Sequence, residues 1–126
     1  MRMYMRYFEI FALSNIYLED SFVLSISETS ESLIFELEAV LTERHPQYEE
    51  PKEDEQYCYR KASLRFFNVC SIDWIDKRLM QYKDREDKID YGNIDGITID
   101  DGSYKLWGDW GTVIVREGEM EFTFTN

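Results

Sequence analysis

The chain has 126 residues, of which 44% are hydrophobic and 16% aromatic. This length is typical of a single domain, spanning 1–126, and the composition excludes an intrinsically disordered chain. The 26 acidic and 14 basic residues give a formal net charge of −12, and such a surface repels the phosphates of nucleic acids. The same excess could attract a basic protein, or it could only keep the protein dissolved and monomeric.

The sequence predicts neither a secretory signal nor a membrane-spanning helix. Its first residues, MRMYMRYFEIFAL, include Arg6 and Glu9 before any useful uncharged apolar stretch, and no run of about 18 apolar residues occurs. Cys58 and Cys70 match no CxxC pattern. We therefore expect a cytoplasmic protein with reduced thiols and no membrane-spanning helix.

The first part of the chain contains strand patterns of unequal clarity. Residues 1–13 fit both the alternation of an edge strand and the spacing of a helix, and the sequence does not separate the two. Residues 21–27 are typical of a strand, and 33–41 alternate apolar side chains with carboxylates, as a half-buried antiparallel strand does. The polar stretch 28–32 predicts a turn that makes them a hairpin. A helix over 31–43 is the alternative, because Glu, Leu and Ala favour helices.

An acidic loop follows over 42–56. It holds both prolines and six carboxylates against Arg44 and Lys52. Proline removes backbone donors and like charges repel one another, so this stretch predicts a solvated loop.

The strand pattern resumes over 57–69. One face of this predicted strand is basic and carries Lys61 and Arg65. We expect that face to lie opposite Glu36 and Glu38 on the preceding strand, because opposite charges on neighbouring strands stabilise a sheet and help to set its register.

The hydrophobic period then changes over 72–83. Apolar residues recur at spacings of 3, 4 and 3, which predicts one amphipathic helix; they are Ile72, Ile75, Leu79 and Tyr82. Ser71 could cap this helix, and Asp73 and Lys77 would form a favourable pair one turn apart. The charged stretch 83–90 would be its exit.

All six glycines lie after residue 91. They separate short apolar runs, which predicts a β-meander over 91–126 with a tight Asp-Gly turn at 100–103. The expected fold is therefore mainly β, of the α+β type. It would be an antiparallel β-sandwich or open barrel of about seven strands with one packed helix.

The residue types that carry catalysis or bind metals are sparse. The only histidine, His45, has no clustered partners for zinc, and no P-loop, GxGxxG or GxSxG motif occurs. Four carboxylates could form a catalytic pair like that of a glycosidase, but their spacing in the sequence does not identify which two would pair. These residues are Asp73, Asp76, Asp109 and Glu121. No stretch matches a calcium-binding loop. We expect no catalytic residue, no cofactor and no metal.

Aromatic residues gather near the end of the meander, in the stretch YKLWGDWG over 104–111. Trp107, Asp109 and Trp110 could form a recognition surface, since tryptophan is enriched where proteins bind each other. The alternative is that one of the tryptophans closes the end of the core.

Five segments together resemble a group of small bacterial β-rich proteins of unknown function, some of which are similar to immunity proteins of polymorphic toxin systems. They are DSFVLSI (20–26), LIFELEA (33–39), SLRFFNVCSIDW (63–74), IDGITI (94–99) and YKLWGDWG (104–111). The resemblance implies a non-enzymatic binder of a toxin domain and assigns no site residue.

The sequence as a whole predicts a non-enzymatic binding module that uses an acidic surface against a basic protein such as a toxin domain. The predicted partner surface comprises Glu49, Glu50, Glu53, Asp54, Glu55, Trp107, Asp109 and Trp110. One alternative is a ligand-binding protein or a carboxylate-dependent enzyme on a β-barrel. Another is a structural subunit that forms a homo-oligomer.

Overall fold

The computed structural model describes residues 4–79, 81–83 and 89–125. This part of the chain forms strands β1 (Tyr4–Arg6), β2 (Ile16–Glu28), β3 (Leu33–Leu41), β4 (Cys58–Phe67), β5 (Ser71–Lys77), β6 (Tyr82–Lys83), β7 (Ile89–Asp90), β8 (Ile94–Asp100), β9 (Ser103–Gly108), β10 (Gly111–Arg116) and β11 (Glu119–Phe124). Two 3-10 turns, Tyr7–Glu9 and Phe11–Leu13, follow β1. No helix in these ranges reaches seven residues, and none could cross a membrane.

The strands form two antiparallel sheets. The five-stranded sheet has the order β1-β8-β9-β10-β5, the four-stranded sheet has the order β11-β4-β3-β2, and β6 and β7 form a small separate pair. The Val23 N–H donates to the Gly92 carbonyl and the Tyr91 N–H to the Val23 carbonyl, both at 2.8 Å, which ties β2 to the segment before β8. The mainly β antiparallel prediction is confirmed, whereas the sheets do not close into a barrel.

One hydrophobic core lies between the sheets. Its cluster draws Phe35, Leu37 and Leu64 from the four-stranded sheet and Ile97, Leu106 and Val113 from the five-stranded one. Alternation along each strand produces this arrangement, since most buried side chains of β3, β4 and β10 fall at every second position.

The helix predicted over 72–83 is wrong, because Ser71–Lys77 forms the edge strand β5 beside β10. Of the apolar stripe, Ile72 packs against the core, but Ile75 is 63% exposed and Leu79 is also exposed. The pairing of β5 shifts register between Thr112 and Val113, which leaves Ile75 as an extra residue. That bulge interrupts the alternation, so the apolar spacing resembled a helix.

Asp73 and Lys77, the predicted helical ion pair, contact other side chains instead of each other. The Arg116 Nε lies 2.8 Å from the Asp73 Oδ2, across from β5 to β10, and the Lys77 ammonium lies 5.0 Å from the Trp74 ring centroid. The charged exit over 83–90 falls mostly outside the described residues.

The final strand leaves the predicted meander. β8, β9 and β10 are consecutive neighbours, but β11 pairs with β4 in the other sheet. Glu117 and Gly118 have φ values of 60° and 96°. They carry the chain from one sheet to the other.

The strand predictions of the first half are confirmed. β2 and β3 form a hairpin around 28–32, and Glu38 lies directly opposite Lys61 on β4. The ambiguous segment 1–13 contributes the edge strand β1, which pairs with β8, and then the two 3-10 turns, while residues 1–3 lie outside the described ranges.

Candidate functional site

The acidic loop joins β3 to β4 and has no regular secondary structure. Two contacts anchor the loop near its start: Tyr48 packs against the core, and the Arg60 guanidinium donates a hydrogen bond to the Gln47 side chain at 3.1 Å. Four of its five predicted partner-binding carboxylates are exposed, and Glu55 is half-buried. Within the described ranges no cation lies in ion-pair contact with any of the five. The loop is therefore an anchored, negatively charged surface.

A cluster of aromatic rings lies on the outer face of the four-stranded sheet and extends from β2 across β3 to the start of β4. The Phe22 and Tyr59 rings stack with centroids 6.0 Å apart, and the Tyr57 ring meets the Tyr59 ring edge-on at 6.1 Å. Tyr17 is on the same face and is 45% exposed. These four rings, together with the carboxylates of Asp20 and Glu38, are called the aromatic–acidic face.

Val40 shows how closely the rings cover the sheet. It pairs with Tyr17 on one side and with Tyr59 on the other. Its neighbours Ala39 and Leu41 belong to the core, so alternation directs Val40 outwards, yet it is only 3% exposed. The rings therefore form a packed layer above the sheet, with their other surfaces towards solvent.

The carboxylates act directly on the tyrosines of this face. The charge of Asp20, which also accepts a hydrogen bond from the Tyr57 hydroxyl, raises the pKa of Tyr57. Burial raises the pKa of Tyr59, and the charges of Glu38 and Glu55 add to that effect. Glu55 belongs to the acidic loop and lies two residues before Tyr57, so the acidic loop leads directly into the aromatic–acidic face.

A bulge in β2 gives the aromatic–acidic face its shape. The pairing of β2 with β3 shifts register between Tyr17 and Phe22. Inside this irregularity the buried Ser21 hydroxyl donates to the Tyr17 carbonyl at 2.8 Å and accepts from the Val40 N–H at 2.9 Å. A side chain thus replaces a missing backbone partner and fixes the bulge.

The three predicted site residues of the glycine-rich end lie on the other sheet and do not join the acidic loop. Trp110 is fully buried, with its ring centroid 4.9 Å from that of Phe35, so it is a core residue and not part of a surface. Asp109 is exposed and accepts the Asn93 N–H at 2.9 Å. Trp107 is half-buried on the outer face of β9.

A cleft of about 230 Å³ lies beside Trp107, between the β1 segment and β8. The Tyr7 hydroxyl donates to the Glu19 carboxylate at 2.6 Å within it. Asp95 lines the same cleft, and burial raises its pKa, with the charges of Asp109 and Glu19 adding to the effect. This grouping could not be predicted from local patterns, because Tyr7, Glu19 and Asp95 are far apart in the chain.

The residues considered for catalysis and metal binding are dispersed. No group of three His, Cys, Asp or Glu side chains suited to a metal occurs in the described part of the chain. The His45 Nδ1 accepts the Gln47 N–H at 3.0 Å, while burial and the charge of Arg60 lower the pKa of His45. The candidate glycosidase carboxylates have separate partners, in the contacts Asp73–Arg116, Asp76–Arg78, Glu121–Arg65 and Asp109–Asn93.

The two cysteines are both free thiols. Cys58 is buried and Cys70 is exposed. The Cys70 thiol donates to the Glu117 carboxylate at 2.9 Å, and this contact raises the pKa of Cys70, which keeps the thiol protonated.

The chain was compared with protein-family models, with curated proteins and with solved structures, and none of the three comparisons found a match.

Proposed function

We propose that the protein is a non-enzymatic binding module, built on an antiparallel sandwich, that binds a basic protein domain and neutralises it as an immunity or inhibitor protein does. The observation that carries this proposal is the aromatic–acidic face, which continues into the acidic loop through Glu55. The five segments that resemble a group of small β-rich proteins, some of them similar to immunity proteins, imply the same function.

The chemistry of this surface suits a basic protein. Tyrosine rings provide large contact area at low cost in conformational entropy, and they dominate the binding energy of many protein interfaces. Arginine side chains of a partner can stack on such rings while they pair with carboxylates such as Asp20 and Glu38. A nucleic acid would instead bring its phosphates against carboxylates, which is unfavourable.

The acidic loop would contribute mainly to the rate of association. Its carboxylates are solvated, so each adds little binding energy after contact, but together they attract a basic partner over distances of about one Debye length. The rings would provide the short-range contacts and therefore slow dissociation. The two parts of the surface have separable kinetic roles.

The experiment is a binding and protection assay with the product of the neighbouring gene, because an immunity protein is normally encoded beside its toxin. Co-expression with this chain should restore the growth of a bacterial host that the product inhibits. Calorimetry should then give tighter binding at about 0.1 M than at about 1 M salt, since the Debye length falls from ~10 Å to ~3 Å. Equal affinity at both salt concentrations would remove the electrostatic part of the proposal.

Three variants separate the parts of the surface. Tyr59→Ala should weaken binding about tenfold to a hundredfold, through faster dissociation. The pair Glu49→Gln and Glu50→Gln should slow association and reduce its salt dependence. The pair Glu9→Gln and Glu31→Gln removes the same charge from exposed positions elsewhere and serves as the control. If Tyr59→Ala folded normally and bound with unchanged affinity, the face would not be the interface.

A homo-oligomer is the second candidate, and one observation favours it. Ile75 and Leu79 are exposed at the edge strand β5, which within the described part of the chain has a neighbouring strand on one side only. An unpaired edge with exposed apolar side chains can pair with a second chain. Light scattering at high protein concentration tests this candidate, and a monomeric mass would exclude it.

A further inference from the structure

The cleft beside Trp107 lies on the five-stranded sheet, away from the acidic loop. It is lined by rings of Tyr4, Phe8 and Trp107 and by the polar side chains of Glu19 and Asp95. A larger groove of about 650 Å³ runs along the outer face of the same sheet and shares Tyr4 and Trp107 with the cleft. Together the cleft and groove form an extended concave surface with two aromatic side chains where they meet.

The Trp107 ring lies flat on the sheet. Its register partner on β8 is Gly96, and a Cβ atom at that glycine would lie 2.3 Å from the Trp107 Cζ2 and 2.7 Å from its Cε2. The benzo part of the indole therefore occupies the space that any other residue would fill. One face of the ring covers the glycine backbone, so the opposite face is the one turned towards solvent, as a flat apolar platform.

Hydrogen-bonding groups of both kinds surround this platform. Glu19 is held in place by the Tyr7 hydroxyl, and Asp95 lies exposed on β8, so the carboxylates supply acceptors. Arg6 and Lys105 supply donors from the neighbouring strands β1 and β9. An apolar platform with a few convergent polar groups of mixed type is the usual composition of a small-molecule site.

The charges of this region favour a neutral ligand. A cationic ligand over the indole would meet Lys105, whose ammonium already lies 6.0 Å from the Trp107 ring centroid. An anionic ligand would meet Glu19, Asp95 and Asp109, three carboxylates close enough for their charges to interact. A molecule with an apolar face and an edge of hydroxyl groups uses both donors and acceptors without adding net charge.

We propose that this cleft and groove bind a neutral carbohydrate, with one pyranose ring stacked by its C–H face on Trp107 and its hydroxyls hydrogen-bonded to Glu19 and Asp95. The groove of about 650 Å³ provides room for further sugar rings along the sheet beside Tyr4. This site is separate from the proposed protein-binding surface, because Trp107, Gly96 and Asp95 lie on the five-stranded sheet and Glu19 reaches the cleft from β2.

The test uses the full chain on an array of short neutral oligosaccharides of glucose, mannose, galactose and N-acetylglucosamine, followed by calorimetry with the sugars that bind. Binding should be unaffected by salt. Trp107→Ala should lower the affinity about tenfold or more, and Trp107→Phe should retain part of it, since a smaller ring still offers an aromatic face. Gly96→Ala should also weaken binding, because the new Cβ displaces the indole from the sheet.

Tyr59→Ala is the matched control, since it removes an aromatic ring from the opposite sheet and should leave sugar binding unchanged. Circular dichroism verifies that each variant is folded. Absence of binding across the whole array would overturn the proposal, as would an unchanged affinity in a folded Trp107→Ala variant. Binding of arginine amide at this site, weakened by salt, would identify a cation site instead and would likewise reject the carbohydrate. We expect the Tyr59→Ala variant to lose protein binding and to keep sugar binding, which would support two separate sites.

Discussion

Trp110 offers the sharpest test of how the core is packed. It is fully buried, and its ring contacts those of Phe35 and Trp74, with centroids 4.9 and 5.9 Å away. Its indole N–H is also buried and has no hydrogen-bond partner among the residues that the structure describes. Trp110→Ala should therefore lower the free energy of unfolding by about 3–5 kcal/mol, a large part of the roughly 5–15 kcal/mol that holds a domain of this kind together.

Trp110→Phe should cost much less. A phenyl ring leaves a residual cavity of roughly 40 Å³, which at about 24 cal/mol per Å³ amounts to ~1 kcal/mol, in addition to the lost transfer free energy of the missing atoms. The same change removes an unsatisfied buried donor, whose burial costs about 1–3 kcal/mol. The two effects oppose each other, so we expect a net loss of about 0–2 kcal/mol.

The measurement is urea unfolding followed by far-UV circular dichroism, because tryptophan fluorescence would change with the substitution itself. Equal m values would show that the variants unfold from equally compact states. Trp107→Phe, at a half-buried position outside the core, is the control and should change stability by less than about 1 kcal/mol. If Trp110→Phe destabilised the protein as much as Trp110→Ala, the indole N–H would be making a favourable contact, and the reasoning would fail.

Three further predictions concern single side chains. Ser21→Ala should cost about 1–3 kcal/mol in urea unfolding, because the buried Val40 N–H loses its acceptor. Gly118→Ala should cost more than Gly102→Ala in the same assay: both have positive φ, but only Gly118 would place a Cβ against other atoms, at 2.6 Å. Asp95→Asn should stabilise the protein at neutral pH, because its raised pKa means that the fold disfavours the charge. The gain in free energy of unfolding should vanish as the pH falls below 3.8, the ordinary pKa of the carboxyl. Urea unfolding of both proteins at a series of pH values measures this difference.

The parts of the fold that depend on neighbours in the chain could be predicted from the sequence. β3 and β4 alternate clearly because each is buried on one face, and Asp101 and Gly102 form the expected turn with φ values of 53° and 86°. In these segments the local pattern and the tertiary environment agree, so the pattern alone was sufficient.

The edge strand β5 could not be predicted in this way. It is covered on one face only, and its bulge at Ile75 inserts an extra residue into the alternation. A period of two with one insertion gives apolar spacings close to those of a helix, so the pattern was ambiguous. The pairing of β11 with β4 was also hidden, because the choice of sheet depends on how the chain crosses the core and not on the strand's own residues.

In the candidate sites, too, features of local sequence could be predicted and features that depend on strand pairing could not. The acidic loop was identified from its composition, and its carboxylates are exposed apart from the half-buried Glu55. The sequence does not predict a site at Tyr17, Phe22 and Tyr59, because each alone is an ordinary strand residue. Only the register of β2, β3 and β4 brings them together on one face.

Both proposed sites depend on the same irregularity of the backbone. In a regular strand, Glu19 and Asp20 would point to opposite faces of one sheet. The bulge in β2 instead places Glu19 in the cleft of the five-stranded sheet and Asp20 against the Tyr57 hydroxyl on the four-stranded sheet. The buried Ser21 side chain fixes this bulge by donating one hydrogen bond and accepting another. A bulge in an edge strand can prevent pairing with other chains, and in this protein it also directs two carboxylates to two separate surfaces.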